Sequence, residues 1–101
     1  MKIQNVYQIL QELGLVRSQM EFSRLWLCKS PRYYSSLLAR RQEPSIGTLT
    51  GLIFRLRNIL VHTNKGGDWS AIFTLIQHLE LHVGNRVVMD TALRQMPDRS
   101  R

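Results

Sequence analysis

The sequence predicts an all-α protein, a bundle of five to six helices, and three observations carry the prediction. Apolar residues recur at three- and four-residue spacing along nearly the whole chain, no stretch shows strand-like alternation, and the breaks are marked by capping serines, glycines and prolines. With 101 residues, 44% of them apolar, the chain has the size of one ordinary domain with a modest core.

Each element follows from its own signals. In residues 2–13, Ile3, Val6, Tyr7, Leu10 and Leu13 share a helical face, and Gly14 is a natural stop. Ser18 with Glu21 makes a Ser-x-x-Glu capping box, after which Phe22, Leu25 and Trp26 form the next stripe, ending near Leu27 or Cys28. Ser30 and Pro31 predict a third helix from Pro31 to about Arg40, because the serine oxygen can accept an orphan N–H and proline has none to lose. Pro44 pushes its predecessor out of the helical region. Ser45 then caps a fourth helix, 46–61, carried by Ile46, Leu49, Ile53, Leu56 and Leu60.

Residues 62–67, HTNKGG, are the clearest break in the chain, and Asp68 is placed to cap a fifth helix on Trp69, Ile72, Phe73, Ile76, Leu79 and Val83. Gly84 and Asn85 are expected to interrupt it, leaving Arg86–Met96 as a short sixth helix and 97–101 as a flexible tail. The expected organisation is a single helical domain over 1–96, with 68–96 as additional C-terminal helices.

The charge is unevenly distributed. Fourteen Lys and Arg against seven Asp and Glu give +7, which favours an acidic partner such as nucleic acid. Residues 1–57 hold nine of the basic groups and three of the acidic ones. Arg24, Lys29, Arg32, Arg40 and Arg41 lie close together in sequence with Glu43 as the nearby acid, although Arg40 and Arg41 would also favour a helix C-terminus whatever they touch.

Much other chemistry is excluded. A single cysteine, Cys28, allows no internal disulfide and is expected to pack as a small buried residue in a cytoplasmic protein. No apolar run approaches the roughly 18 residues that cross a bilayer, and MKIQNVYQILQELG is unlike a signal peptide, so no membrane partner is expected. His78 and His82 stand at i and i+4, but Glu80 falls on the other side of the helix, so this is not the zinc-protease order. With no glycine-rich phosphate loop, no nucleophile beside a base and no paired carboxylates, neither an enzyme nor a cofactor or metal is expected.

Two short helices on a tight connection, followed by a loop and a longer apolar helix, are the parts of a helix-turn-helix in their usual order. Over residues 18–56 the run SQMEFSRLWLCKSPRYYSSLLARRQEPSIGTLTGLIFRL resembles the lambda-repressor and Cro (XRE-like) DNA-binding domain, with the helix-turn-helix at about 18–41. Gln19 opens the second helix, Phe22 and Ser23 lie within it, a serine opens the third, and Pro44-Ser45 precede the fourth. The turn departs from the family. Trp26-Leu27-Cys28-Lys29 lacks the usual glycine, and Ser23 to Tyr34 is one residue longer than the family's count. Tyr33 inward restores the count but shifts the spacing to Pro44; Tyr34 inward gathers Tyr34, Leu37 and Leu38 on one stripe, and is the register adopted.

The resemblance then implies a sequence-specific DNA-binding protein, a regulator of transcription, that inserts the helix 31–40 into the major groove of double-stranded DNA. It implies base contacts from Arg32, Tyr33, Ser36 and Arg40, and phosphate contacts from Ser18, Gln19, Lys29, Ser35, Arg41, Ser45 and Thr48. A homodimer is expected, and 68–96, where Trp69 and Phe73 exceed what a minimal helix-turn-helix needs, either docks the second copy or covers the back of the first four helices. Two rivals stand beside this reading: a protein-interaction module using Trp26, Tyr33 and Leu38, and RNA binding through the same basic face.

Overall fold

The apolar periodicity resolves into five helices in the computed structural model, which describes residues 2–62 and 69–95. They are α1 (Ile3–Glu12), α2 (an α-turn Gln19–Glu21 running on into a π-helical segment Phe22–Trp26), α3 (Tyr33–Arg40), α4 (Ile46–His62) and α5 (Ser70–Gln95). No strand occurs among the described residues, and the protein is all-α. Except for His62, which ends α4, the expected break 62–67, Asp68 and the tail 97–101 lie outside the described residues.

The face of α1 that the spacing predicts is the one that is buried: Ile3, Val6 and Leu10. Gly14 ends the helix at φ +75°, where the Leu15 N–H donates to the Leu10 carbonyl (2.9 Å) and the Gly14 N–H to that of Gln11 (3.0 Å). This left-handed stop satisfies carbonyls that the helix end would leave without donors.

Ser18 caps α2 as expected, its Oγ accepting the Glu21 N–H at 3.1 Å, while the Glu21 carboxylate accepts from the Arg17 N–H at 3.1 Å. The stripe that follows differs from the expected one. Phe22, Trp26 and Leu27 are buried, whereas Leu25 is 61% exposed. The cause is the wider turn: Leu27 N–H donates to the Phe22 carbonyl five residues back, so residues four and five apart share a face rather than three and four.

A second difference lies in α5, which runs unbroken through Gly84 and Asn85, so one helix replaces the expected fifth and sixth. A glycine inside a helix costs about 1 kcal/mol relative to alanine. That is too little to end a helix whose preceding turns bury Ile72, Leu75, Ile76 and Leu79. The turn after Gly84 is also held, by Arg86 Nη1 donating to the Pro44 carbonyl at 2.8 Å.

One hydrophobic cluster joins the helices. Its largest part lies where α4 meets α5, with Leu49, Leu52, Ile53 and Leu56 on one helix and Ile72, Leu75, Ile76 and Leu79 on the other, and an Arg57–Glu80 ion pair crosses its outer edge. At the other end three rings tie α1, α2 and α3 together. Tyr7 lies 5.4 Å from Phe22 and 5.1 Å from Tyr34, and Phe22 meets Tyr34 edge-on at 5.0 Å and 87°. Such pairs contribute about 0.5–1.5 kcal/mol beyond the area they bury.

Tyr34 is the inward tyrosine, 2% exposed, and burial, with Tyr7 beside it, pushes its phenol above the ordinary tyrosine range. In the unfolded chain the group ionises at its ordinary value, near 10, while the folded protein still holds the proton. Stability is therefore complete below that pH and falls as pH rises through the folded value. Tyr34→Phe keeps the ring packing and is expected to flatten this alkaline loss in denaturant melts across the alkaline range, leaving neutral-pH stability nearly unchanged.

Candidate functional site

The joint between α2 and α3 rests on a buried hydroxyl. Ser23 is fully buried; its Oγ donates to the Gln19 carbonyl one turn earlier (3.0 Å) and accepts the Tyr34 N–H of α3 (3.0 Å). Tyr34 lies in the first turn of its helix, where N–H groups have no intrahelical acceptor. Ser23 thus acts as a cap supplied by another helix.

Ser30 does not play the part expected of it. Its carbonyl, not its hydroxyl, accepts the Tyr33 N–H (3.0 Å), and Arg32 sits at φ −96°, ψ 5°, the third residue of a type I turn whose second position suits Pro31. The proline fixes a turn that leads into α3, which consequently starts two residues later than expected. Ser35 Oγ donates back to the Arg32 carbonyl at 3.0 Å.

The turn holds a left-handed residue without being glycine. Cys28 adopts φ +53° and is exposed, not buried, because a helix reversal at this point turns its side chain to solvent. Beside it the Lys29 N–H donates to the Ser23 carbonyl at 2.9 Å. This bond spans six residues where the corresponding one at Gly14 spans five, so the π-turn inserts one residue into α2 before the chain reverses. At the far end of α3, Arg41 at φ +52° makes a second such reversal, with the Gln42 N–H on the Leu37 carbonyl (3.0 Å) and its own N–H on that of Leu38 (3.2 Å).

With Tyr34 and Leu37 facing the core, the outward face of α3 carries Arg32, Ser36 and Arg40, all exposed. Tyr33 is partly buried on the flank of that face, with Lys29 Nζ 5.7 Å above its ring, close enough for cation–π attraction. Arg24, Lys29, Arg32, Arg40 and Arg41 are all exposed, and among the described residues none of them is paired with a carboxylate. Glu43 turns instead toward His82 of α5, Oε2 to Nε2 at 3.8 Å. Other cations are committed within the fold: Arg57 to Glu80, Arg86 to Pro44, and Arg55, whose Nη1 donates to the Trp26 carbonyl at 3.0 Å.

That last contact was not legible in the sequence and shapes the site. Arg55 reaches back across Gly51, where a Cβ would stand 2.9 Å from its Nη1, and neutralises the carbonyl end of α2. Between this arginine, the turn and the first turn of α4 lies an open groove of about 290 Å³ lined by Cys28, Lys29, Ser45, Gly47, Gly51 and Arg55, among others.

The expected phosphate residues fare unequally. Thr48 lines the groove but is mostly buried, its N–H is taken by Ser45 Oγ (3.2 Å) and the two hydroxyls share a hydrogen bond (3.0 Å), so its backbone donor is already engaged. The N–H groups of Ile46 and Gly47, which helix geometry leaves without an intrahelical acceptor, are the better donors there. Ser18 and Gln19 are exposed, but Ser18 Oγ is engaged as a cap and the Glu21 carboxylate lies beside the same helix end, which opposes a second anion. Lys29, Ser35, Arg41 and Ser45 are exposed. Arg41 lies apart from the groove, on a second surface hollow with Lys2, Gln4 and Glu43. His78 is exposed and His82 partly buried.

A family model described as a family of unknown function (DUF6626) matches residues 3–92. No curated protein and no solved structure matches the chain.

Two stability measurements test this joint. Ser23→Ala strands the buried Tyr34 N–H and is expected to cost about 1–3 kcal/mol, seen as a Tm lowered by roughly 5 °C or more. Cys28→Gly removes the left-handed penalty of a residue with a Cβ and is expected to gain about 1 kcal/mol net, raising Tm by a few degrees.

Proposed function

The chain belongs to DUF6626, a family of unknown function, and we propose that it is a sequence-specific DNA-binding protein, a transcriptional regulator that inserts α3 into the major groove. The observation that carries this reading is the exposed face of α3: Arg32, Ser36 and Arg40, flanked by Tyr33 and Lys29, with cations that no carboxylate among the described residues neutralises. Unpaired arginine on a rigid helix suits duplex DNA, since its planar fork donates two hydrogen bonds to guanine and its charge meets phosphate.

The likeness to the lambda-repressor type of domain is supported by the geometry of its departures. The extra residue between Ser23 and Tyr34 is taken up by the π-turn of α2, and Cys28 adopts the left-handed conformation for which a turn glycine would serve. Buried Ser23 and Tyr34 then meet directly, as the small residue and the inward residue of such a pair of helices should.

In the proposed complex Arg32, at the start of α3, and Ser36, one turn on, read base edges. Tyr33 contributes from the flank, and Arg40 follows toward the end of the helix. Lys29 and the free N–H groups of Ile46 and Gly47 hold a backbone phosphate in the groove beside the turn, and Arg24, Ser35, Arg41 and Ser45 add weaker contacts. The protein binds and does not catalyse; it acts in the cytoplasm as a soluble regulator. No helix among the described residues is long and apolar enough to cross a membrane. The interaction-module reading is weaker, because Trp26 is 7% exposed with its indole N–H on the Leu15 carbonyl (3.3 Å), and Leu38 is partly buried.

Selection from a random duplex pool at two salt concentrations tests the proposal, with wild type, Arg32→Ala/Tyr33→Ala and Lys29→Ala each shown helical by circular dichroism. Wild type is expected to select a sequence. The double variant should lose selection but keep salt-sensitive generic binding, and Lys29→Ala should weaken all sequences alike and reduce the salt slope by about 0.9. Absence of salt-dependent duplex binding overturns the reading, and preference for single-stranded or hairpin RNA replaces it with RNA binding.

A further inference from the structure

We infer that the outer flank of the α4–α5 pair is the docking surface for a second copy of this chain, an inference that does not rest on DNA binding. The Arg57–Glu80 ion pair fixes which faces of the two helices adjoin there. Phe54 and Val61 stand three and four residues from Arg57, and Phe73, Gly84 and Val87 stand seven, four and seven from Glu80, so all lie on the same flank. Phe54 is 64% exposed, Val61 71%, Phe73 55% and Val87 43%. Two phenylalanines so exposed leave on the order of 200 Å² of aromatic surface in water, with Phe54 and Val87 on one side of the ion pair and Phe73 and Val61 on the other.

Three features identify the occupant as a second copy. The first is charge: the chain carries +7, so copies repel except through a face without net charge, and among the described residues the charged groups of this flank are Arg57 and Glu80, which cancel. The second is complementarity. Under a two-fold axis through this pair, Arg57 of one copy approaches Glu80 of the other, so the same two residues serve within and between chains, as a self-complementary interface requires. The third is area. A face two helices wide and as long as α4 spans about 25 by 20 Å, on the order of 500 Å² per partner, the size of a weak, concentration-dependent association rather than of a standard permanent one.

Local shape agrees. A Cβ at Gly84 would meet nothing within 4 Å, so the helix backbone there is open to a side chain of the other copy. Of the two aromatic residues expected to serve docking, Phe73 belongs to this face, while Trp69 packs on the protein's own core.

Sedimentation of the full chain over a wide concentration range tests the inference. Wild type is expected to pass from monomer to dimer, and Phe54→Lys, exposed and therefore harmless to the fold, to remain monomeric. Arg57→Glu and Glu80→Arg are each expected to be monomeric alone, with like charges facing across the axis, and to form a mixed dimer when combined in equal amounts. A wild type that stays monomeric throughout overturns the inference, as does a Phe54→Lys variant that dimerises undiminished or a charge-reversed mixture that fails to associate.

Discussion

The hydroxyl of Ser23 is the constraint on which the arrangement of the first half of the protein depends. It links the Gln19 carbonyl of α2 to the Tyr34 N–H of α3, and because the hydroxyl and the Tyr34 N–H are buried, α3 cannot rotate or slide against α2 without leaving a polar group unpaired. Tyr34 is then held against Phe22 and Tyr7, so a single hydrogen bond also sets the ring cluster that ties in α1. The consequence is felt on the opposite side of α3: with Tyr34 fixed inward, Arg32, Ser36 and Arg40 are fixed outward.

The turn shows how an additional residue between two packed helices can be accommodated. An additional residue in a helix–turn–helix would ordinarily shift every later side chain by about 100° and carry Tyr34 out of the core. The π-turn absorbs it by widening the helix at Phe22–Trp26, and Arg55, passing over Gly51, caps the carbonyl that the wider turn presents at Trp26. The compensation lies in α4, 29 residues away, which makes the turn part of the tertiary structure rather than a local motif.

The cations divide by the same logic. Arg55, Arg57 and Arg86 stitch helices together, while those near α3 lack carboxylate partners among the described residues. A concentration of unneutralised charge on one side, with a net-neutral apolar flank on α4 and α5, gives the molecule two surfaces of different chemistry. The proposed roles, DNA on the first and a second copy on the other, follow that division.

Helix number and boundaries were largely legible, because the three- and four-residue spacing in α1 and α4, the Ser18–Glu21 box and the Ser45 cap are local properties. So was the inward Tyr34. The pattern failed where distant contacts outweighed local preference: Gly84 stays helical because turns around it are anchored, Leu25 points outward because α2 widens, and Ser30 yields its capping role to Ser23. Thr48 keeps its place in the lining of the groove, but its N–H is taken by Ser45. By itself the sequence determined the all-α class, the helix starts with strong caps and the basic character of the first half, since these depend on composition and on neighbours within one turn. Only the tertiary structure decided which cations are free and which N–H groups remain to bind, because each depends on a partner supplied by another helix.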